Sequence, residues 1–211
     1  MLKKILLTVA VAIVGLGAFI ASRPAAFHIE RAATIAAPPD VVFGLVNDFR
    51  QWDAWSPWDK RDPNQTRTYS GPQSGVGAGY AWRGNKDVGE GKMTILAAQP
   101  NERIDIKLEF IAPMTATNQT VFTFKPEANG TRVTWSLDGE NDFMGKAFSV
   151  VMNMDKMVGG DFEQGLTNMS VAAQKELAKR AAAQAASALS AAGAEVQKAA
   201  QEIQDATAGA K

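Results

Sequence analysis

The sequence predicts an α+β fold: a curved antiparallel sheet wrapped around a long C-terminal helix, with one N-terminal membrane-spanning or signal helix. Three patterns indicate this fold. An uncharged, almost wholly apolar run fills residues 5–21, several segments in the middle of the chain alternate apolar and polar side chains, and an apolar stripe with helical spacing runs through residues 145–179. A sheet with one apolar face and a helix with one apolar stripe must cover each other.

The N-terminal segment, residues 1–25, has the pattern of a membrane anchor or a secretory signal. Lys3 and Lys4 precede the apolar run and Arg23 closes it. The run is near the lower length limit for crossing a bilayer. Residues 20–22 fit a signal cleavage site poorly, because Pro24 follows closely. We therefore expect an uncleaved anchor, with secretion after cleavage and a buried helix as the alternatives. The lysines predict a domain on the outer, extracytoplasmic side.

Residues 26–180 hold the predicted folded domain. Pro38 and Pro39 suit the start of a short amphipathic helix. Strict alternation then predicts half-buried strands at residues 104–110, 120–125 and 132–137, and Asn129-Gly130 predicts a hairpin between the last two. Two shorter strands are expected within residues 79–82 and 91–96. The Ala-rich tail, residues 181–211, is expected to be a solvated helix or disordered, or alternatively a weak self-association helix.

Composition excludes several classes of function. Lys plus Arg equals Asp plus Glu, at 22 each, and we find no basic stripe, so nucleic acid is not an expected partner. The chain has no cysteine, which excludes disulfides, thiolate metal sites and a cysteine nucleophile. His28 is the single histidine, which argues against a histidine metal site or a Ser-His-Asp triad. We predict no metal, no cofactor and no catalytic residue, and the sequence does not set the oligomeric state.

Four runs of sequence carry a resemblance to a known superfamily. They are "APPDVVFGLVNDFRQWDAWSPW", "YAWRGNKDVGEGKMTI", "GTRVTWSLDGENDFMGKAF" and "MNMDKMVGGDFEQGL". Together they resemble the START-like or SRPBCC superfamily, in its polyketide cyclase/dehydrase-like branch, over about residues 27–178. The resemblance implies the helix-grip fold and a hydrophobic ligand cavity between sheet and helix. Because that scaffold hosts lipid carriers, receptors and cyclases alike, it does not fix the function.

A tryptophan cluster raises the question of what these rings contact. Trp52, Trp55 and Trp58 fall within seven residues, with Pro57 between the last two. The rings can seal a corner of the core, or line the cavity mouth and stack on a ligand. Trp55 and Trp58 are the candidates for ligand contact.

Strand parity supplies the remaining candidates. Phe122 marks an inner face that also carries Thr120 and Asn118, whose buried polar groups need a partner: each other, a water molecule, or the polar end of a ligand. Met152 belongs to an adaptable methionine-rich stretch, and Asp155 is the carboxyl to examine for a raised pKa, although we expect it to form a simple salt bridge with a nearby basic side chain. The predicted ligand-binding residues are Trp55, Trp58, Tyr80, Trp82, Asn118, Thr120, Phe122, Trp135, Met152 and Asp155.

These patterns favour a membrane-anchored binding protein for a hydrophobic small molecule or lipid, rather than an enzyme. A cyclase- or dehydratase-like enzyme is the first alternative, weakened by the lack of an evident acid–base pair. The second alternative is a structural or stress-related interaction domain without a ligand.

Overall fold

The computed structural model describes the backbone of residues 1–208 and their side chains apart from 202–204 and 206–208. The last three residues of the expected tail, 209–211, lie outside the described residues. The chain divides into two units, the first comprising Met1–Ala173 and the second beginning at Gln174. The second unit is helical through Ala208, and its described side chains from residue 178 onward are exposed.

The helices and strands follow one another in a simple order. They are α1 (Leu2–Ala21), β1 (Ala26–Ile35), α2 (Pro39–Asn47), a 3-10 helix (Phe49–Ala54), β2 (Thr66–Ser70), β3 (Gly79–Arg83), β4 (Glu90–Gln99), β5 (Arg103–Ala112), β6 (Ala116–Glu127), β7 (Gly130–Glu140), α3 (Phe143–Val151) and α4 (Met154–Ala208). As expected, α2 begins at the prolines, and it buries five apolar side chains.

The seven strands form one antiparallel sheet in the order β1-β7-β6-β5-β4-β3-β2. Strand β1 pairs along its whole length with β7, from Ala26 opposite Glu140 to Ile35 opposite Thr131. The apolar faces of the sheet and of α4 form the core, where Phe122, Leu166 and Met169 are fully buried. The predicted helix-grip architecture is therefore confirmed.

One end of the sheet gathers several chain segments, and we call it the α1 end. Strand β1 starts there beside the end of β7, and the turns at 84–89 and 113–115 lie there too, because Glu90 faces Ala112 and Phe110 faces Ala116. Helix α1 connects to β1 at this end, and α3 follows the end of β7 there.

The predicted helix at residues 145–179 is in fact two helices, which corrects the expectation of one continuous stripe. Met152 has extended backbone angles, and the Asn153 side chain then caps α4 by accepting a hydrogen bond from the Lys156 N–H at 2.9 Å. This break separates α3 from the core-facing stripe of α4. As a result α3 has no buried residue, and Phe148, Val151 and Met152 are exposed rather than packed in the stripe.

Helix α1 is the one described helix that is long and apolar enough to cross a membrane. This is a statement about length and composition, and a signal sequence near an N-terminus satisfies it equally. Nearly all of its side chains are exposed.

Candidate functional site

A cavity of about 390 Å³ lies between the inner face of the sheet and the first turns of α4. Its volume is in the range of small-molecule sites, and its walls are mostly apolar and aromatic. Six of the predicted ligand-binding residues line it: Trp58, Tyr80, Trp82, Asn118, Thr120 and Trp135.

The other four predicted residues lie elsewhere. Trp55 and Phe122 are both 0% exposed, within the core behind the cavity wall. Met152 is exposed at the break between α3 and α4, and Asp155 is exposed on the first turn of α4.

The tryptophan cluster divides between core and cavity: Trp55 is fully buried behind the wall, whereas Trp52, although buried, forms part of the wall together with Trp58. Trp55 donates its indole N–H to the carbonyl of Leu45, and Trp52 donates to that of Val46, each at 3.0 Å. These two bonds fasten the 3-10 helix to α2. Trp58 is half-buried, lines the cavity, and meets Trp135 edge to face with ring centroids 5.7 Å apart.

An aromatic stack forms one wall of the cavity. The Trp135 ring of β7 lies between Phe122 of β6, at 4.8 Å between centroids, and Phe162 of α4, at 4.0 Å. Gly165 on α4 admits this ring, because a Cβ there would lie 2.8 Å from Trp135 Cζ3. The stack therefore links sheet and helix directly beside the cavity.

Thr120 already uses its hydroxyl proton within the protein. Its hydroxyl donates to the carbonyl oxygen of Ser136 at 2.7 Å and accepts the indole N–H of Trp135 at 2.8 Å. A hydroxyl has a single proton to donate. Thr120 therefore holds Trp135 in place and has no donor left for a ligand.

Asn118 is different, because its amide faces the cavity without a partner. The residue is only 8% exposed, and within the described residues its side chain makes no hydrogen bond. Gly139, opposite it on β7, leaves room for the amide and for the Phe27 ring; a side chain at Gly139 would collide with both. The Asn118 amide is not among the side-chain atoms that are both fully buried and unpaired, so it stays accessible from the cavity, with its two N–H donors and its acceptor oxygen unused.

A second polar group of residues lies in the part of the wall built by segment 55–65 and β3. Asp59 is 2.7 Å from Arg67 and accepts a hydrogen bond from Gln65 at 2.6 Å. Arg61 forms an ion pair with Asp161 of α4. Burial, and then the negative charge of Asp59, raise the pKa of Tyr80 above its ordinary value. The Tyr80 phenol therefore stays protonated and can serve as a neutral donor.

Sequence reasoning missed Asp59, Arg61 and Phe27 among the cavity residues. Asp59 and Arg61 stand in an irregular segment, where no period predicts which way a side chain points. Phe27 shares the parity of the buried Ile29, which could have identified it.

Asp155 forms a salt bridge rather than having a raised pKa. Arg31 of β1 contacts Asp155 at 3.0 Å and Glu163 at 2.7 Å. The hydrogen bond from Arg31 lowers the pKa of Asp155 below its ordinary value. Gly159 gives space to this guanidinium, since a Cβ there would overlap it. The described residues contain no group of three or more His, Cys, Asp or Glu able to hold a metal ion.

Comparison with known proteins agrees with this geometry. A family model described as polyketide cyclase / dehydrase and lipid transport matches residues 26–174, in agreement with the resemblance found in the sequence. A search of curated proteins finds no match.

Solved structures share the fold at low sequence identity. A protein of unknown function from Staphylococcus aureus, SA2116, has a TM-score of 0.55 and 13% identity, over 74% of this chain and 98% of that one. Protein CV1439 from Chromobacterium violaceum has a TM-score of 0.51 and 17% identity, over 68% and 94%. The di-domain ARO/CYC StfQ from the steffimycin biosynthetic pathway has a TM-score of 0.53 and 11% identity, over 73% of this chain and 52% of StfQ. At these identities the likeness concerns the fold alone.

Proposed function

The chain belongs to the polyketide cyclase/dehydrase and lipid transport family, and from this premise we propose that it binds a hydrophobic small molecule or lipid in the cavity. The bound molecule has an apolar body and one polar group, such as a carbonyl or a hydroxyl. In this proposal helix α1 holds the protein at a membrane, and the lysines before it support an extracytoplasmic position of the domain.

The observation that carries this proposal is the unpartnered amide of Asn118 in a pocket whose walls are mostly apolar and aromatic. Apolar surface removed from water stabilises a complex by about 25 cal/mol per Å². A single amide, with two donors and one acceptor oxygen, then fixes the orientation of a ligand's polar end. Both features are typical of small-molecule sites.

Binding without turnover is favoured because the two acidic groups that are buried or half-buried in the wall are engaged, while the third, Asp87, is exposed in the turn at 84–89. Asp59 is paired with Arg67, Asp161 is paired with Arg61, and the Thr120 proton is donated to Ser136. A general acid or base needs a free proton or lone pair within reach of the substrate.

A cyclase-like enzyme is the second candidate, and Tyr80 is the observation that favours it. Its phenol lines the cavity with a pKa raised chiefly by burial, so it can donate a hydrogen bond to a carbonyl that becomes an enolate.

Native mass spectrometry of the full chain, released from detergent, tests the binding proposal. We expect an additional discrete mass, identified by solvent extraction. Asn118→Leu should lower the affinity for that molecule about tenfold, the effect of losing one or two hydrogen bonds. Gln119→Leu is the matched control, because the neighbouring Gln119 amide is exposed on the outer face.

The outcomes separate the candidates. If the wild-type protein shows only the mass of the chain itself, even after incubation with lipid and aromatic mixtures, the result would contradict a binding function. A ligand recovered in chemically altered form, with the change abolished in Tyr80→Phe while binding persists, would favour the enzyme.

A further inference from the structure

Helix α3 presents apolar side chains to solvent and buries none of its residues. Phe143, Met144, Phe148 and Val150 are all exposed, and Val151 is 83% exposed. Soluble helices normally turn such an apolar stripe toward a core. Contiguous exposed apolar surface of this kind marks an interaction site.

The position of α3 indicates what it meets. Lys146 of α3 donates a hydrogen bond to the carbonyl of Ala21, the last residue of α1, at 3.3 Å. Only residues 22–25 separate α1 from β1, and four residues span at most about 14 Å. A bilayer crossed by α1 therefore lies next to α3, because α3 contacts the end of α1 and the connection from α1 to the sheet is short.

Two further apolar side chains occur at the same α1 end of the sheet. Ile111 near the end of β5 and Met114 in the turn at 113–115 are both exposed. We call α3 together with Ile111 and Met114 the apolar rim. Its Lys146 ammonium is flexible enough to remain among polar headgroups while its stem contacts acyl chains.

The cavity extends to the α1 end of the sheet, where the apolar rim also lies. Met157, in the second turn of α4 just after α3, lines the cavity and is itself exposed. Phe27 at the start of β1 and Phe110 at the end of β5 also line it, and both lie at the α1 end. Asp87, in the turn at 84–89, completes this side of the wall.

We propose that the apolar rim inserts into the lipid leaflet, so that the cavity exchanges its ligand directly with the bilayer. This inference rests on the proposed membrane-held binding function. A bilayer suits the rim better than a second copy of the chain does. Nine helical residues extend only about 14 Å, so one face of α3 falls well short of the roughly 800 Å² per partner of a stable interface.

Spin labels test the proposal, and the absence of cysteine makes single-site labelling clean. The full chain is reconstituted in vesicles of equal parts phosphatidylcholine and phosphatidylglycerol, with a nitroxide at Val151→Cys. Val76→Cys is the matched control, an exposed valine in the turn between β2 and β3, away from the α1 end. Ile13→Cys, within α1, reports on the anchor. Accessibility to oxygen, which concentrates in lipid, is compared with accessibility to a water-soluble nickel chelate.

We expect the labels at Val151 and Ile13 to be reached by oxygen and shielded from nickel, and the label at Val76 to be reached by nickel. If the label at Val151 is accessible to nickel while the label at Ile13 is embedded in lipid, the rim proposal is wrong. The membrane anchor and the ligand-binding function of the cavity would then be unaffected. A label at Val151 shielded from both reagents, with spin–spin broadening, would show contact between copies and also overturn it. A water-exposed label at Ile13 would overturn the placement of α1 in the membrane and with it the rim proposal. The test of ligand binding by native mass spectrometry is independent of this outcome.

Discussion

The rings of Trp135 and Phe162 lie face to face, with centroids 4.0 Å apart and planes inclined by 8°. This contact joins β7 to α4, and both rings line the cavity. The same pair therefore supports the fold and shapes the site.

Replacing Phe162 with alanine should destabilise the protein strongly. Phe162 is 2% exposed, and truncating a buried phenylalanine lowers the free energy of unfolding by about 3–5 kcal/mol. Urea unfolding in detergent, followed by tryptophan fluorescence, measures the change. Phe162→Leu keeps most of the apolar volume, so its free energy of unfolding should fall distinctly less than that of the alanine variant. Equal midpoints for the alanine variant and the wild type would contradict the role given to the stack.

Two glycines of α4 offer a matched pair of substitutions. At Gly165 a Cβ would lie 2.8 Å from the Trp135 ring, whereas at Gly160 it would meet nothing within 4 Å. Gly160→Ala should therefore stabilise the folded protein by about 0.5–1 kcal/mol, because alanine has a higher helix propensity than glycine. Gly165→Ala should destabilise by about 1–3 kcal/mol through overpacking. Thermal unfolding midpoints of the two variants compare them directly, and shifts of the same sign would refute the proposed ring contact.

Removing the Thr120 hydroxyl should loosen Trp135. In Thr120→Val the indole N–H of Trp135 and the carbonyl of Ser136 lose their partner, which costs about 1–3 kcal/mol for buried groups. The indole N–H resonance of Trp135 in a nitrogen–proton spectrum should move in Thr120→Val and stay close to its place in Thr120→Ser. An unmoved resonance in the valine variant would show that the bond does not form.

The single histidine gives a pH readout of the first strand. The hydrogen bond of His28 to Asp138, 2.6 Å long, raises the pKa of His28 above its ordinary 6.5. A raised folded-state pKa means that the charged ring stabilises the fold. This contribution is complete below pH 6.5 and is lost as the pH rises through the folded-state pKa.

Proton–carbon spectra of the imidazole, recorded through a pH titration, give that pKa without any assignment problem. Asp138→Asn should return it toward 6.5. The stability difference between wild type and Asp138→Asn should be largest on the acidic side of neutrality. A pKa unaffected by the substitution would contradict the pairing.

Alternation and turn chemistry were sufficient to predict most of the sheet. The parity that placed Phe122, Thr120 and Asn118 on one face holds in the structure, where all three are buried. Asn129-Gly130 forms the expected hairpin between β6 and β7. Strand β2 was not predicted, because one of its two half-buried side chains is Arg67, so exposure alternates along the strand but hydrophobicity does not.

The break at Met152 was missed for a different reason. Apolar residues continue at helical spacing through it, and only the capping side chain of Asn153 marks the new helix. The cavity's polar residues could not be predicted either. Asp59 is held by an ion pair with Arg67 of β2, and Arg61 by an ion pair with Asp161 of α4. Each partner belongs to a different element of the fold, so the local sequence around 59–61 does not reveal it.

All five tryptophans belong to one continuous group of touching rings. Trp52 meets Trp55, Trp55 and Trp58 both meet Trp135, and Trp82 joins through Tyr80 and Phe49. Rings this close exchange electronic excitation faster than they emit. Trp52, Trp55, Trp58 and Trp135 contact one another directly, so these four share their ultraviolet emission, and an absorbing guest molecule in the cavity would quench all four together.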